Sequence, residues 1–199
     1  DIADIKSDSS HPKKKNRPLP SKRISVSSAY VFSFFCIGAG LFITYFYFSF
    51  DIFLMYLLFA LVNQFYTHIA KKIPYAEILF NSLTHPMRFL LGVLLVTNNI
   101  PYLLILAILM LSIGFACIRR IIEKKAPGSE SRQVLRHYSF KSLSVLQISA
   151  FIFIVIIIAI DFPNYVGWYY FLIFLYLVFV VGMYSSKQME KFYHWLFLN

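Results

Sequence analysis

Leu143-Ser144-Val145-Leu146-Gln147-Ile148-Ser149-Ala150-Phe151-Ile152-Phe153-Ile154-Val155-Ile156-Ile157-Ile158-Ala159-Ile160 decides the solvent in which this chain folds. The stretch carries no charge, and as an α-helix it is long enough to cross most of a ~30 Å hydrocarbon core. Similar apolar runs recur at Val26–Tyr47, Ile52–Ala70, Ala76–Val96, Tyr102–Cys117 and Val166–Tyr184. In lipid each backbone N–H and C=O must be bonded within its own segment, so these runs are read as helices. The expected fold is all-α, a transmembrane bundle with about six spans present, forming a single membrane domain over residues 1–199. Residues 1–25 make a polar N-terminal loop, 26–184 the helices with a loop at 119–138, and 185–199 a C-terminal segment or the start of a further span. With 59% hydrophobic and 19% aromatic residues, a soluble globular class is excluded. Cys36 and Cys117 both fall in apolar runs, which speaks for membrane packing and against a disulfide framework.

The net charge of +10 has a pattern. Eighteen of the nineteen Lys/Arg lie before Ser25, at Lys71-Lys72, between Arg119 and Lys141, or at Lys187 and Lys191. If the spans alternate, all four segments emerge on one side, while the connections near Asp51, Thr97–Pro101 and Asp161–Tyr165 carry no Lys or Arg. The positive-inside rule makes the basic side cytoplasmic and assigns much of this charge to topology and anionic headgroups rather than to nucleic acid.

Topology does not account for the acids. Asp1, Asp4 and Asp8 are three of only nine acidic residues, and at spacing i, i+3, i+7 they share one helical face, where they repel unless a cation intervenes. Mg²⁺ suits one or two carboxylates plus substrate phosphates, and the basic run His11-Pro12-Lys13-Lys14-Lys15-Asn16-Arg17-Pro18 supplies phosphate partners. Further along, Gln64, Thr67, His68 and Lys71 make a polar stripe at helical spacing, which faces protein or water rather than lipid. Glu77, Asn81, Thr84 and Arg88 share the next helical face. Arg88 lies about two turns inside that run, at a cost of a few kcal/mol unless it finds a partner or an anion. Glu77 is too far along the axis, roughly 16 Å, to be that partner.

The opening segment resembles the first aspartate-rich motif of the UbiA superfamily of intramembrane prenyltransferases. Asp1, Asp4, Asp8, His11-Pro12, Lys14, Arg17-Pro18 and Ser21 carry the resemblance, supported by Tyr66 with Lys71 or Lys72, by Glu77, Arg88 and Gly92, and by Arg119-Arg120 with Glu123 ahead of Arg132-Gln-Val-Leu-Arg136-His-Tyr138. It implies a nine-helix bundle entered at the loop after the second helix, so the chain is expected to be a fragment. It also implies Mg²⁺ held by Asp1, Asp4 and Asp8, with Lys14 and Arg17 offsetting charge on a leaving diphosphate. The superfamily's usual second aspartate cluster is replaced by Arg119-Arg120 and Glu123, which resembles the branch that transfers 5-phosphoribose from phosphoribosyl pyrophosphate to a polyprenyl phosphate. On that reading Lys71, Arg88, Arg119, Arg120 and Arg136 bind substrate phosphates, with Tyr66, Glu77, Asn81, Glu123 and Tyr138 in support. Two other readings stand beside it: a prenyltransferase acting on an aromatic acceptor, and a non-enzymatic membrane protein such as a transporter.

Overall fold

A computed structural model describes residues 2–9, 14–125, 133–185, 191–193 and 195. Among the described residues there is no strand. The helices are α1 (Ile5–Ser9), α2 (Val26–Tyr47), α3 (Phe50–His68), α4 (Ala76–Leu94), α5 (Tyr102–Lys125), α6 (Gln133–Arg136), α7 (Phe140–Asp161) and α8 (Val166–Ser185). They group into two compact units, Asp1–His68 and Ile69–Asn199.

In the first unit α2 and α3 form a helical hairpin with a two-residue turn at Phe48-Ser49. Ser25 starts α2 by accepting the Ser28 N–H at 3.1 Å, a cap worth about 1 kcal/mol. The hairpin closes by ring contacts such as Tyr45 on Phe53, with centroids 5.4 Å apart.

In the second unit α5 is the central helix, packed by α4, α7 and α8. Two apolar clusters mark its ends. Cys117, Ile118 and Ile122 of α5 join Ile78, Leu143 and Tyr138 at one end, while Leu104 and Ala107 join Ile154, Ile157, Tyr169 and Leu172 at the other. The N-terminus of α4, the C-terminus of α5 and the N-terminus of α7 therefore meet at the first end, which is where Lys71, Lys72, Lys124 and Lys141 lie in sequence. Ser139 and Ser142 cap α7 reciprocally at 2.9 and 3.2 Å, a capping box that fixes where the chain enters this helix.

Helices occupy all six expected spans, but they are not alike. Val26–Tyr47, Phe50–Lys72, Tyr102–Lys125 and Phe140–Asp161 are long and apolar enough to cross a membrane, and α8 adds the shorter apolar stretch Val166–Val180. Helix α4 differs because Glu77, Ser82 and Thr84 are buried polar residues within it. A helix can carry such groups at membrane depth when a neighbouring helix covers them, and α5 packs along α4.

Gly114 permits the close approach of α5 and α8. A Cβ there would lie 2.5 Å from Tyr176 Cε2 and 2.9 Å from its hydroxyl oxygen. Tyr176 is buried and its hydroxyl donates to the Gln147 carbonyl, so the ring cannot swing aside without breaking that bond. Gly114→Ala is expected to lower stability by about 1–3 kcal/mol, read as a lower melting temperature in detergent.

Candidate functional site

The aspartate-rich segment lies in the first unit. A 3-10 turn at Ile2–Asp4 leads into α1, and a second turn at Lys14–Asn16 follows. Asp1 and His11-Pro12-Lys13 lie outside the described residues. Asp4 is half-buried and Asp8 buried. Asp8 Oδ2 accepts a hydrogen bond from Arg17 Nη1 at 2.9 Å, with the Arg17 side chain 46% exposed. The cation that the sequence demands beside Asp8 is therefore supplied in part by the chain itself. The loop is knitted around Arg17 and Pro18: Arg17 N–H donates to the Lys14 carbonyl at 3.0 Å, Ser21 Oγ to the Arg17 carbonyl at 2.6 Å, and Arg23 N–H to the Pro18 carbonyl at 2.9 Å. These bonds hold Lys14 and Arg17 in one turn, which the Arg17–Asp8 pair ties to α1. Among the described residues no group of three or more His, Cys, Asp or Glu is gathered for a metal. The donor set still fits Mg²⁺, a hard cation that takes oxygen ligands and is satisfied by one or two carboxylates when substrate phosphates and waters complete its shell.

On α3, Thr67 Oγ1 donates to the Asn63 carbonyl and Asn63 Nδ2 to the Phe59 carbonyl, each at 2.8 Å, so part of the polar stripe is satisfied within the helix. Gln64 and His68 are exposed and Tyr66 is half-buried.

The second unit carries a buried polar network at its basic end. Glu77, fully buried in the first turn of α4, lies 2.6 Å from Arg120 Nε of α5, whose side chain is 3% exposed. Arg120 Nη1 also donates to Glu123 Oε2, and Glu123 Oε1 accepts from Arg119 Nε at 3.0 Å. Tyr138 completes the set by donating its hydroxyl to Glu77 Oε1 at 3.0 Å while accepting the Tyr75 N–H at 2.9 Å. Burial, and then the Glu77 carboxylate beside it, push the Tyr138 phenol well above the ordinary tyrosine range, so it remains a donor. Tyr75 has φ 62°, a left-handed conformation costing roughly 1–3 kcal/mol for a residue with a side chain. Its ring packs edge-on against Tyr138 at 5.1 Å and its hydroxyl meets Ser142 Oγ at 3.0 Å, contacts that hold it there. Lys124 Nζ donates to the Tyr138 carbonyl, tying the C-terminus of α5 to the entry of α7.

The sequence-selected residues thus divide. Glu77, Arg119, Arg120, Glu123 and Tyr138 come together. Arg88 and Arg136 are exposed, and Lys71 and Asn81 are half-buried. Arg132 and Glu130 lie outside the described residues. Sequence reasoning balances Arg119 and Arg120 against Glu123 alone and leaves Glu77 without a base. The missed partner is Arg120, on the next helix. Its signal is present: consecutive antiparallel helices bring the first turn of one beside the last turns of the next, and Glu77 and Arg120 occupy those turns. Tyr75, which bonds Tyr138, has no comparable signal.

Neither the curated proteins nor the solved structures give a match to this chain. The profile of the UbiA prenyltransferase family matches residues 1–198, nearly the whole length. With its helical membrane bundle, this chain belongs to the UbiA prenyltransferase family and is an enzyme of the transferase class, working in the membrane on lipid-linked isoprenoid substrate.

Proposed function

We propose that this protein transfers 5-phosphoribose from phosphoribosyl pyrophosphate to a polyprenyl phosphate, releasing diphosphate, with Mg²⁺ as cofactor and its catalytic loops on the cytoplasmic side. One observation carries the choice over an aromatic-acceptor prenyltransferase. Where a second acidic cluster would hold a second metal, the acids among the described residues are Glu77 and Glu123, and both are bound to arginines. A carboxylate neutralised in this way is a poor ligand for a divalent cation. The bases Arg119, Lys124, Lys125 and Arg136 at the same end favour a further phosphate instead.

Bound Mg²⁺ would supply charge neutralisation on the leaving diphosphate, held by Asp1 and Asp4. The remaining work falls to side chains of the chain. Lys14 and Arg17 offset the charge that develops on the diphosphate as its C–O bond breaks. Arg17 is oriented for this by Asp8, whose carboxylate it already neutralises, which makes Asp8 a positioning residue rather than a ligand. Lys71, Arg88, Arg119 and Arg136 orient phosphates of the co-substrates, and Arg120, enclosed by two carboxylates, fixes Arg119 through their shared partner Glu123. Tyr66, Asn81 and Tyr138 support these groups. No protein nucleophile is needed, because positioning and electrostatics suffice for this class of displacement. The bilayer holds the acceptor's lipid tail. The cytoplasmic assignment rests on the basic end of the helices.

Arg119→Gln removes a charged donor without emptying the core. It is expected to raise the apparent KM for phosphoribosyl pyrophosphate or for polyprenyl phosphate by roughly 10- to 100-fold, equivalent to about 1.5–3 kcal/mol, with a smaller change in kcat. An unchanged KM for both substrates would remove Arg119 from the phosphate site.

A further inference from the structure

The second unit has a groove of about 400 Å³ between α7 and α8, lined by Ser144, Ile148 and Phe151 on one side and Tyr176, Leu177 and Val180 on the other. It opens outward, since Ile148 is 60% and Leu177 44% exposed. Its floor is fixed by polar bonds: the Tyr176 hydroxyl donates to the Gln147 carbonyl, and Gln147 Nε2 to the Gly114 carbonyl at 3.4 Å. The α7 wall repeats at 144, 148 and 151. One turn toward the N-terminus on that same face stands Lys141, which is exposed. Helical side chains lean toward the N-terminus, so Lys141 extends the line of the groove toward the basic end. The acids described at this end, Glu77 and Glu123, are held by arginines.

We infer that the groove binds an acyl chain of an anionic phospholipid whose phosphate is met by Lys141. The apolar wall from Ser144 to Phe151 runs about 10 Å along the helix, room for part of a hydrocarbon chain. Lys141 favours a headgroup of net negative charge over a zwitterionic one, whose own ammonium offsets its phosphate. The groove lies on apolar helices of a membrane protein, where phospholipid is the surrounding solvent, so filling it requires no delivery step. This site is separate from the proposed transfer reaction and does not depend on it.

The test uses the full chain in nanodiscs with phosphatidylglycerol or phosphatidylcholine spin-labelled on the acyl chain, reading the motionally restricted fraction by electron spin resonance. Lys141→Gln is expected to reduce the preference for phosphatidylglycerol about fivefold. Lys22→Gln, a lysine of the other unit, should leave it unchanged. Ile148→Trp, which fills the groove from an exposed position, should lower the restricted fraction for both lipids while the melting temperature holds. An equal fall in the Lys22 variant, no fall in the Lys141 variant, or displacement of the label by polyprenyl phosphate but not by unlabelled phosphatidylglycerol would overturn the inference.

Discussion

Arg120→Leu is expected to destabilise the folded protein by about 3–5 kcal/mol, the largest effect of any single substitution considered. The change removes a cation from beside Glu77, which is fully buried, and from Glu123. Desolvation of the carboxylate is then no longer offset by its ion pair, whereas the pair itself adds little net stability over a well-packed apolar replacement. The double variant Glu77→Leu/Arg120→Leu should consequently recover a large part of the loss. Thermal unfolding in detergent, followed by circular dichroism, separates the two. A single variant that melts like the native protein, or a double variant worse than the single, would show that the network is not the buried charge pair described.

Asp4→Asn in the active protein is expected to lower turnover at least about 100-fold while leaving the melting temperature unchanged, since the carboxylate acts on charge at the leaving diphosphate rather than on packing. Asp8→Asn should behave differently. Its carboxylate is already engaged by Arg17, so the variant is expected to keep its dependence on added Mg²⁺ and to lose activity through misplacement of Arg17. Turnover by the native enzyme without divalent ion would contradict the metal role of the segment.

The bundle was legible in the sequence because long apolar helices are dictated locally: lipid forces each segment to satisfy its own backbone, and hydropathy alone then marks Val26–Tyr47 or Phe140–Asp161. The family resemblance was legible for a similar reason, being carried by a short contiguous motif from Asp1 to Ser21. Pairings between elements were harder to read. Glu77 and Arg120 are 43 residues apart by number, and the bond depends on how far α4 and α5 slide past one another, which apolar periodicity leaves open. The Asp8–Arg17 pair spans a stretch whose sequence, His11-Pro12-Lys13 included, carries no apolar periodicity from which to predict it. The polar face drawn from Glu77 to Arg88 was real as spacing but not as environment, for its first member is enclosed and its last is exposed.

The most direct test of the proposed function is a substrate choice made by the active protein in membranes with Mg²⁺. Phosphoribosyl pyrophosphate with a polyprenyl phosphate should yield a lipid-linked phosphoribose and diphosphate, and prenyl diphosphate with an aromatic acid should yield nothing. Prenylation of the aromatic acid, with phosphoribosyl pyrophosphate ignored, would contradict the account of the basic end and of the arginine-bound acids Glu77 and Glu123.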